Sequence, residues 1–221
     1  MINSKLLASA AALCLFSLTA RADDWPQFRG PNRDGISRET GWLTEWPASG
    51  LKALWKQPVG RGYSSVAIAN GRVFTIGLLP KDESKKNVLE ETVTCLDEAT
   101  GKTLWQNVGQ SNWNGVTTIG WRAEAPYRWT GVEKQASYSS PVVATFHGQR
   151  HLLCFMRQGL VSLNPTNGVV NFSRWFQSFV NDSVNAINPV VHDDTILLSA
   201  AYYRVGARSE EHTSELQSPY V

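Results

Sequence analysis

One ten-residue pattern occurs twice, and it restricts the chain to repeat architectures. The first copy is Leu96-Asp97-Glu98-Ala99-Thr100-Gly101-Lys102-Thr103-Leu104-Trp105. The second is Leu163-Asn164-Pro165-Thr166-Asn167-Gly168-Val169-Val170-Asn171-Phe172. Each reads as a strand, a tight turn closed by glycine, and a second strand carrying a large aromatic residue. The turn needs a residue that tolerates positive φ, which Gly101 and Gly168 supply. Trp105 and Phe172 each fall four residues after that glycine. A hairpin repeated at long period is the signature of a blade architecture.

The repeat extends upstream. Tyr63 to Thr75 reads as two short strands around Asn70-Gly71, the strongest short hairpin signal because both central residues of a type I′ turn favour positive φ. Tyr138-Ser139-Ser140-Pro141 repeats the opening, with Gly148 in the turn and Leu152 to Phe155 as the return strand. Asn188-Pro189 opens it a third time, 48 residues after Pro141. The step from Ser65 to Ser140 is 75 residues, so the first unit carries an insertion. A four-stranded propeller blade takes roughly 40–50 residues, which fits the shorter step.

Lys52-Ala53-Leu54-Trp55 matches Lys102-Thr103-Leu104-Trp105 but has no strands of its own unit before it. Such an orphan outer strand is expected to complete the last blade of a ring and remove its free edges.

These residues resemble the pyrroloquinoline quinone (PQQ)-like β-propeller repeat family. The resemblance rests on the Tyr-Ser-Ser openings at Tyr63 and Tyr138, the Leu-Asp-x-x-Thr-Gly-x-x-x-Trp element ending at Trp105, and its degenerate copy ending at Phe172. Asp24-Trp25-Pro26-Gln27-Phe28-Arg29-Gly30-Pro31 is similar to the opening of secreted bacterial members. The implied fold is all-β: an incomplete propeller of about two and a half four-stranded blades belonging to a longer ring. The expected layout is an outer closing strand near 52–57, a blade over 63–109 with an insertion at 79–91, and an insertion loop at 110–135. A second blade covers 138–177 and a partial third covers 185–207. Within this frame Trp55, Gly101, Trp105, Gly168 and Phe172 are structural repeat residues, and the large rings fill the wedge between splayed sheets. Asp97 is expected to cap its hairpin.

Both ends fall outside that frame. Residues 1–22 carry an early Lys5, an apolar run from Leu6 to Leu18, and Ala20-Arg21-Ala22 as a small-x-small cleavage site. This reads as a secretory signal peptide cut after Ala22, too short for a membrane span, and places the mature chain in the periplasm or outside the cell. At the other end, Arg208 to Ser218 resembles the translation of a short-read sequencing adapter. Residues 208–221 are therefore read as an extraneous tail. The whole chain has a net charge of +2. The trimmed ends remove three basic and three acidic side chains, so the balance is unchanged. That charge favours neither nucleic acid nor an anionic membrane surface.

Few residues suggest chemistry. Cys95 and Cys154 fall in different strand positions of adjacent units and are expected as two buried free thiols. His147 and His151 flank a hairpin turn without a third ligand and read as exposed turn residues. Gly60-Arg61-Gly62 lacks the helix and third glycine of a nucleotide loop. Asn32-Arg33-Asp34-Gly35 lacks the alternating acids of a Ca²⁺ loop and reads as a turn. Lys81, Asp82, Glu83, Lys85 and Lys86 mark 79–91 as a solvated extension. The 110–135 loop is different: Trp113, Trp121, Arg122, Tyr127 and Trp129 make it a candidate binding loop on a rigid scaffold.

Two functions follow from the resemblance. The favoured one is a non-catalytic binding or assembly platform, with blade-face loops taking a protein or glycan partner and no cofactor. The alternative is a quinoprotein alcohol dehydrogenase with PQQ and Ca²⁺ on the axis. The adjacent Cys-Cys pair of those enzymes is missing from this stretch, and fold alone does not choose between the two.

Overall fold

The computed structural model describes residues 22–80, 84, 89–108, 136–157, 159–176, 185–200 and 207–211, with backbone alone for residues 108, 175 and 207–211. Eleven strands form three antiparallel sheets, and no helix occurs among the described residues. The first sheet runs β1 (Ala67–Ala69), β2 (Arg72–Pro80), β3 (Leu89–Asp97) and β4 (Thr103–Val108), in that spatial order. The second repeats it with β5 (Val142–Phe146), β6 (Gln149–Met156), β7 (Gly159–Leu163) and β8 (Val170–Trp175). The third has β9 (Val190–His192), β10 (Thr195–Ser199) and β11 (Ala207–Glu211). This is the incomplete propeller that the repeat implies.

The first hairpin of each sheet turns through a residue at positive φ: Asn70 at 51°, His147 at 46° and Asp193 at 49°. Three different side chains occupy one backbone conformation, because the ladder and the two-residue loop dictate it. The β1–β2 and β3–β4 turns lie at one end of the first sheet, which we term the turn end. The segments entering β1, β5 and β9 lie at the opposite, opening end.

The core sits between sheets. Alternate residues of the second sheet face opposite ways, as strand geometry requires. Val143, Leu152, Cys154, Met156, Val161 and Leu163 join Phe74, Ile76, Val93 and Cys95 of the first sheet. Val142, Leu153, Phe155 and Leu160 join Phe176 and Ile196, Leu198 and Ala200 of the third. Both cysteines are therefore buried free thiols in the same inter-sheet layer. Burial pushes Cys95 up to about 12 and raises Cys154 further, so neither is a nucleophile at neutral pH.

The two ten-residue copies explain themselves at the turn end. In the first, Gly101 N–H bonds Asp97 C=O, and Asp97 Oδ1 accepts from the Thr100 amide and hydroxyl at 2.9 and 2.7 Å. Trp55 Nε1–H donates to Glu98 C=O at 2.8 Å, and its ring covers Gly101 so closely that a Cβ there would lie 2.5 Å from Cδ2. In the second, Asn164 replaces Asp97 and Trp105 replaces Trp55. Trp105 Nε1–H donates to Pro165 C=O at 3.3 Å, and a Cβ on Gly168 would lie 2.6 Å from Cε3. Glycine is thus required twice over at each site, by φ and by the ring above it.

Four features add to the sequence reading, and the third corrects it. Residues 52–57 pair with no strand among the described residues, which include no last blade to receive them, and Leu54 is 82% exposed. The segment is tied by the Trp55 ring instead of by strand bonds. Strands β2 and β3 run through Leu79, Pro80 and Leu89 to Glu91, so both ends of the 79–91 extension are paired. His151 is 5% exposed, stacks on Phe146 at 3.9 Å and bonds Ser162 Oγ at 2.8 Å; it is a core residue of β6, since alternation turns it inward. Finally, β11 extends pairing into the segment set aside as a tail, with Arg208 to Glu210 opposite Leu198 to Ile196. An open strand edge accepts any extended backbone, whatever its side chains.

Candidate binding face

The opening end of the first two sheets carries the site. Tyr63 and Tyr138 occupy equivalent positions in successive units, and their rings meet at 4.3 Å with a 52° tilt. Both stay in solvent, 73% and 42% exposed. Paired aromatic surface in water is a binding feature more than a stabilising one.

A polar chain beneath them fixes their spacing. Ser65 N–H donates to Ser140 Oγ at 3.0 Å, and Ser140 N–H donates to Asn188 Oδ1 at 2.7 Å. Ser65, Ser140 and Asn188 are equivalent repeat positions, so each opening holds the one before it. Asn185 does the same one step deeper. Its carbonyl accepts from Tyr138 and Ser139 N–H, and its amide donates to Met156 C=O at 2.7 Å. The serines of the Tyr-Ser-Ser element are thus linkers between units.

Glu91 is the buried acid of this end, 2% exposed. One carboxylate oxygen accepts from Ser137 N–H at 2.6 Å and the other from Arg157 N–H at 2.7 Å. It joins β3 to the entry of the second sheet and to the turn after β6. Burial pushes its carboxyl above the ordinary range; the two N–H donors and the nearby Arg157 charge oppose that rise. The sequence reading missed Glu91, and only its place in the alternation of Leu89 to Asp97 signals that it points inward.

Gly60, Arg61 and Gly62 have a structural role. Arg61 exchanges both backbone bonds with Leu78, extending the line of β1 along β2, and the Gly60 and Gly77 backbones leave no room for a Cβ. Asn32 to Gly35 is a turn, with Arg33 at positive φ and Asp34 capping Ile36 N–H. The candidate loop residues Trp113, Trp121, Arg122, Tyr127 and Trp129 lie outside the described residues, as do Lys81, Asp82, Glu83, Lys85 and Lys86.

No three His, Cys, Asp or Glu side chains converge among the described residues, and both oxygens of Glu91 are already engaged by backbone N–H groups.

Comparison with known proteins settles the class. Residues 36–218 match the family model described as outer membrane protein assembly factor BamB. The chain belongs to this PQQ-like repeat family, and its three sheets are blades of that β-propeller. No curated protein matches the chain. Among the described residues, no helix is long and apolar enough to cross a membrane.

Proposed function

We propose that this chain is an exported, non-catalytic β-propeller that binds a protein partner across its opening end. The paired, solvent-facing rings of Tyr63 and Tyr138 carry that reading. Two rigid aromatic surfaces cost little side-chain entropy on binding and suit an extended peptide better than a buried small molecule. The BamB description of the family and the secretory character of residues 1–22 support an envelope assembly role. No cofactor takes part in it.

The test places a photoactivatable phenylalanine at Tyr138 in the cell-expressed full chain, with a control at Val169 on the turn end. A defined protein adduct at Tyr138, absent at Val169 and reduced at least tenfold by Tyr63→Ala, is the expected result. A glycan as the sole Tyr138-dependent ligand would overturn the protein reading. Alcohol-dependent dye reduction by the chain loaded with PQQ and Ca²⁺ would overturn the non-catalytic one.

A further inference from the structure

Strands β1, β5 and β9 are the first strands of their units, and each lies at an edge of its sheet. One short segment near the N-terminus touches all three. Trp25 exchanges both backbone bonds with Ile68 of β1, each at 2.8 Å. Pro26 C=O accepts from Val143 N–H of β5 at 2.8 Å. Arg33 Nη2 donates to the carbonyl of Val191 in β9 at 2.7 Å.

The side chains fit this course. Trp25 precedes a proline and is biased to extended backbone. Pro26 has no N–H to leave unpaired, and only its carbonyl is used. The Trp25 ring folds back onto Gly30, where a Cβ would lie 2.7 Å from Cη2.

Asp24 supplies the most telling contact. Its Oδ1 accepts the Asn70 N–H at 2.9 Å, and its other oxygen lies 3.6 Å from Arg150 Nη2. At the next junction, His147 N–H is capped in the same way by Asp194 Oδ1 at 2.7 Å, from the neighbouring blade's own turn. The residue equivalent to Asp194 in the second blade is Gly148, which has no side chain and open space around it. Asp24 fills the role that Gly148 leaves vacant.

We propose that the edges of β1 and β5 form a strand-addition groove for a short extended acid-aromatic-proline segment, and that Asp24 to Pro26 occupy it in cis, with the turn that follows returning Arg33 to β9. The groove is separate from the tyrosine pair. A partner segment of the same chemistry gains access only when the clasp is displaced, so the clasp is also an autoinhibitory contact.

The test uses the full chain and a fluorescent synthetic peptide spanning residues 23–35. Wild-type protein is expected not to take up the peptide. The variant Asp24→Ala/Trp25→Ala/Arg33→Ala is expected to bind it saturably, with displacement by unlabelled peptide and none by a peptide carrying the same three alanines. Amide exchange at Ile68 and Val143 should be at least tenfold faster in the variant and return toward wild type with peptide. Protection of the β2–β3 amides reports that the variant is folded. A folded variant that ignores the peptide, or equal exchange at Ile68 and Val143 in both proteins, overturns the proposal. Should the triple variant lose β2–β3 protection, Asp24→Ala alone is read at the Ile68 amide, and an unchanged rate there overturns it equally.

Discussion

The two ends of the blades hold together by different physics. At the turn end, a tryptophan ring from one unit lies on a glycine of the next, and the hairpins are short and backbone-determined. At the opening end, polar side chains bridge successive units, with a buried carboxylate at the first junction. The turn end depends on shape and tolerates chemical change: Asn164 replaces Asp97 and Pro165 replaces Glu98 without loss of the motif. The opening end depends on donors and acceptors, where a missing partner leaves a buried polar group exposed to no solvent.

Substitutions can break that contrast. Trp105→Ala should have the largest effect, about 4 kcal/mol, because the ring caps Gly168 and also packs on Phe74 at 6.0 Å. Trp55→Ala should cost only about 2 kcal/mol, since its segment pairs with no strand among the described residues. Urea unfolding of the full chain measures both, and equal costs would mean that the ring-on-glycine contact alone carries the energy. Glu91→Ala should fall between those two at about 3 kcal/mol, by stranding the amides of Ser137 and Arg157. Faster amide exchange confined to those two residues would locate the loss. Gly101→Ala should cost about 2 kcal/mol from positive φ, and more if the Trp55 ring is expelled. Tryptophan emission shifted to the red reports that expulsion.

The smallest effects sharpen the contrast through pH. Glu91 is raised from 4.5 mainly by burial, so the folded state binds its proton more tightly than the unfolded one. Its contribution is therefore full below 4.5 and declines as pH rises through the raised value. Asp97 is lowered from 3.8, chiefly by the Thr100 hydroxyl and amide, so its contribution exists above 3.8 and is lost as pH falls through the lowered value. Unfolding midpoints followed against pH should lose the first slope in Glu91→Gln and the second in Asp97→Asn. Parallel profiles for both variants would erase the distinction between the ends.

The turn end was legible in the sequence because its determinants are local. Asn70-Gly71, Gly101 and Gly168 announce backbone conformations, and aromatic residues at fixed offsets mark the repeat. What covers those glycines is less legible, since Trp55 and Gly101 are 46 residues apart. At the opening end the pattern misleads. Glu91 sits in a charged stretch that reads as solvated, yet strand alternation carries it inward to two amides far along the chain. His151 errs the same way: four residues from His147, it lies on the buried face because β6 begins directly after the turn. Residues 52–57 show the converse: a strand-like sequence whose pairing depends on an edge that local propensity cannot provide.

The placement of Trp105 gives the assembly a direction of dependence. The outer strand β4 lends its ring to the turn of the second sheet, while its own turn is sheltered by Trp55 from the segment before it. Loss of the Trp105 ring is therefore felt in two leaves at once, at Phe74 in its own and at Gly168 in the next. Joined head to tail, such leaves make heterologous contacts, which end in a ring where the rotation closes and run on as an open array where it does not.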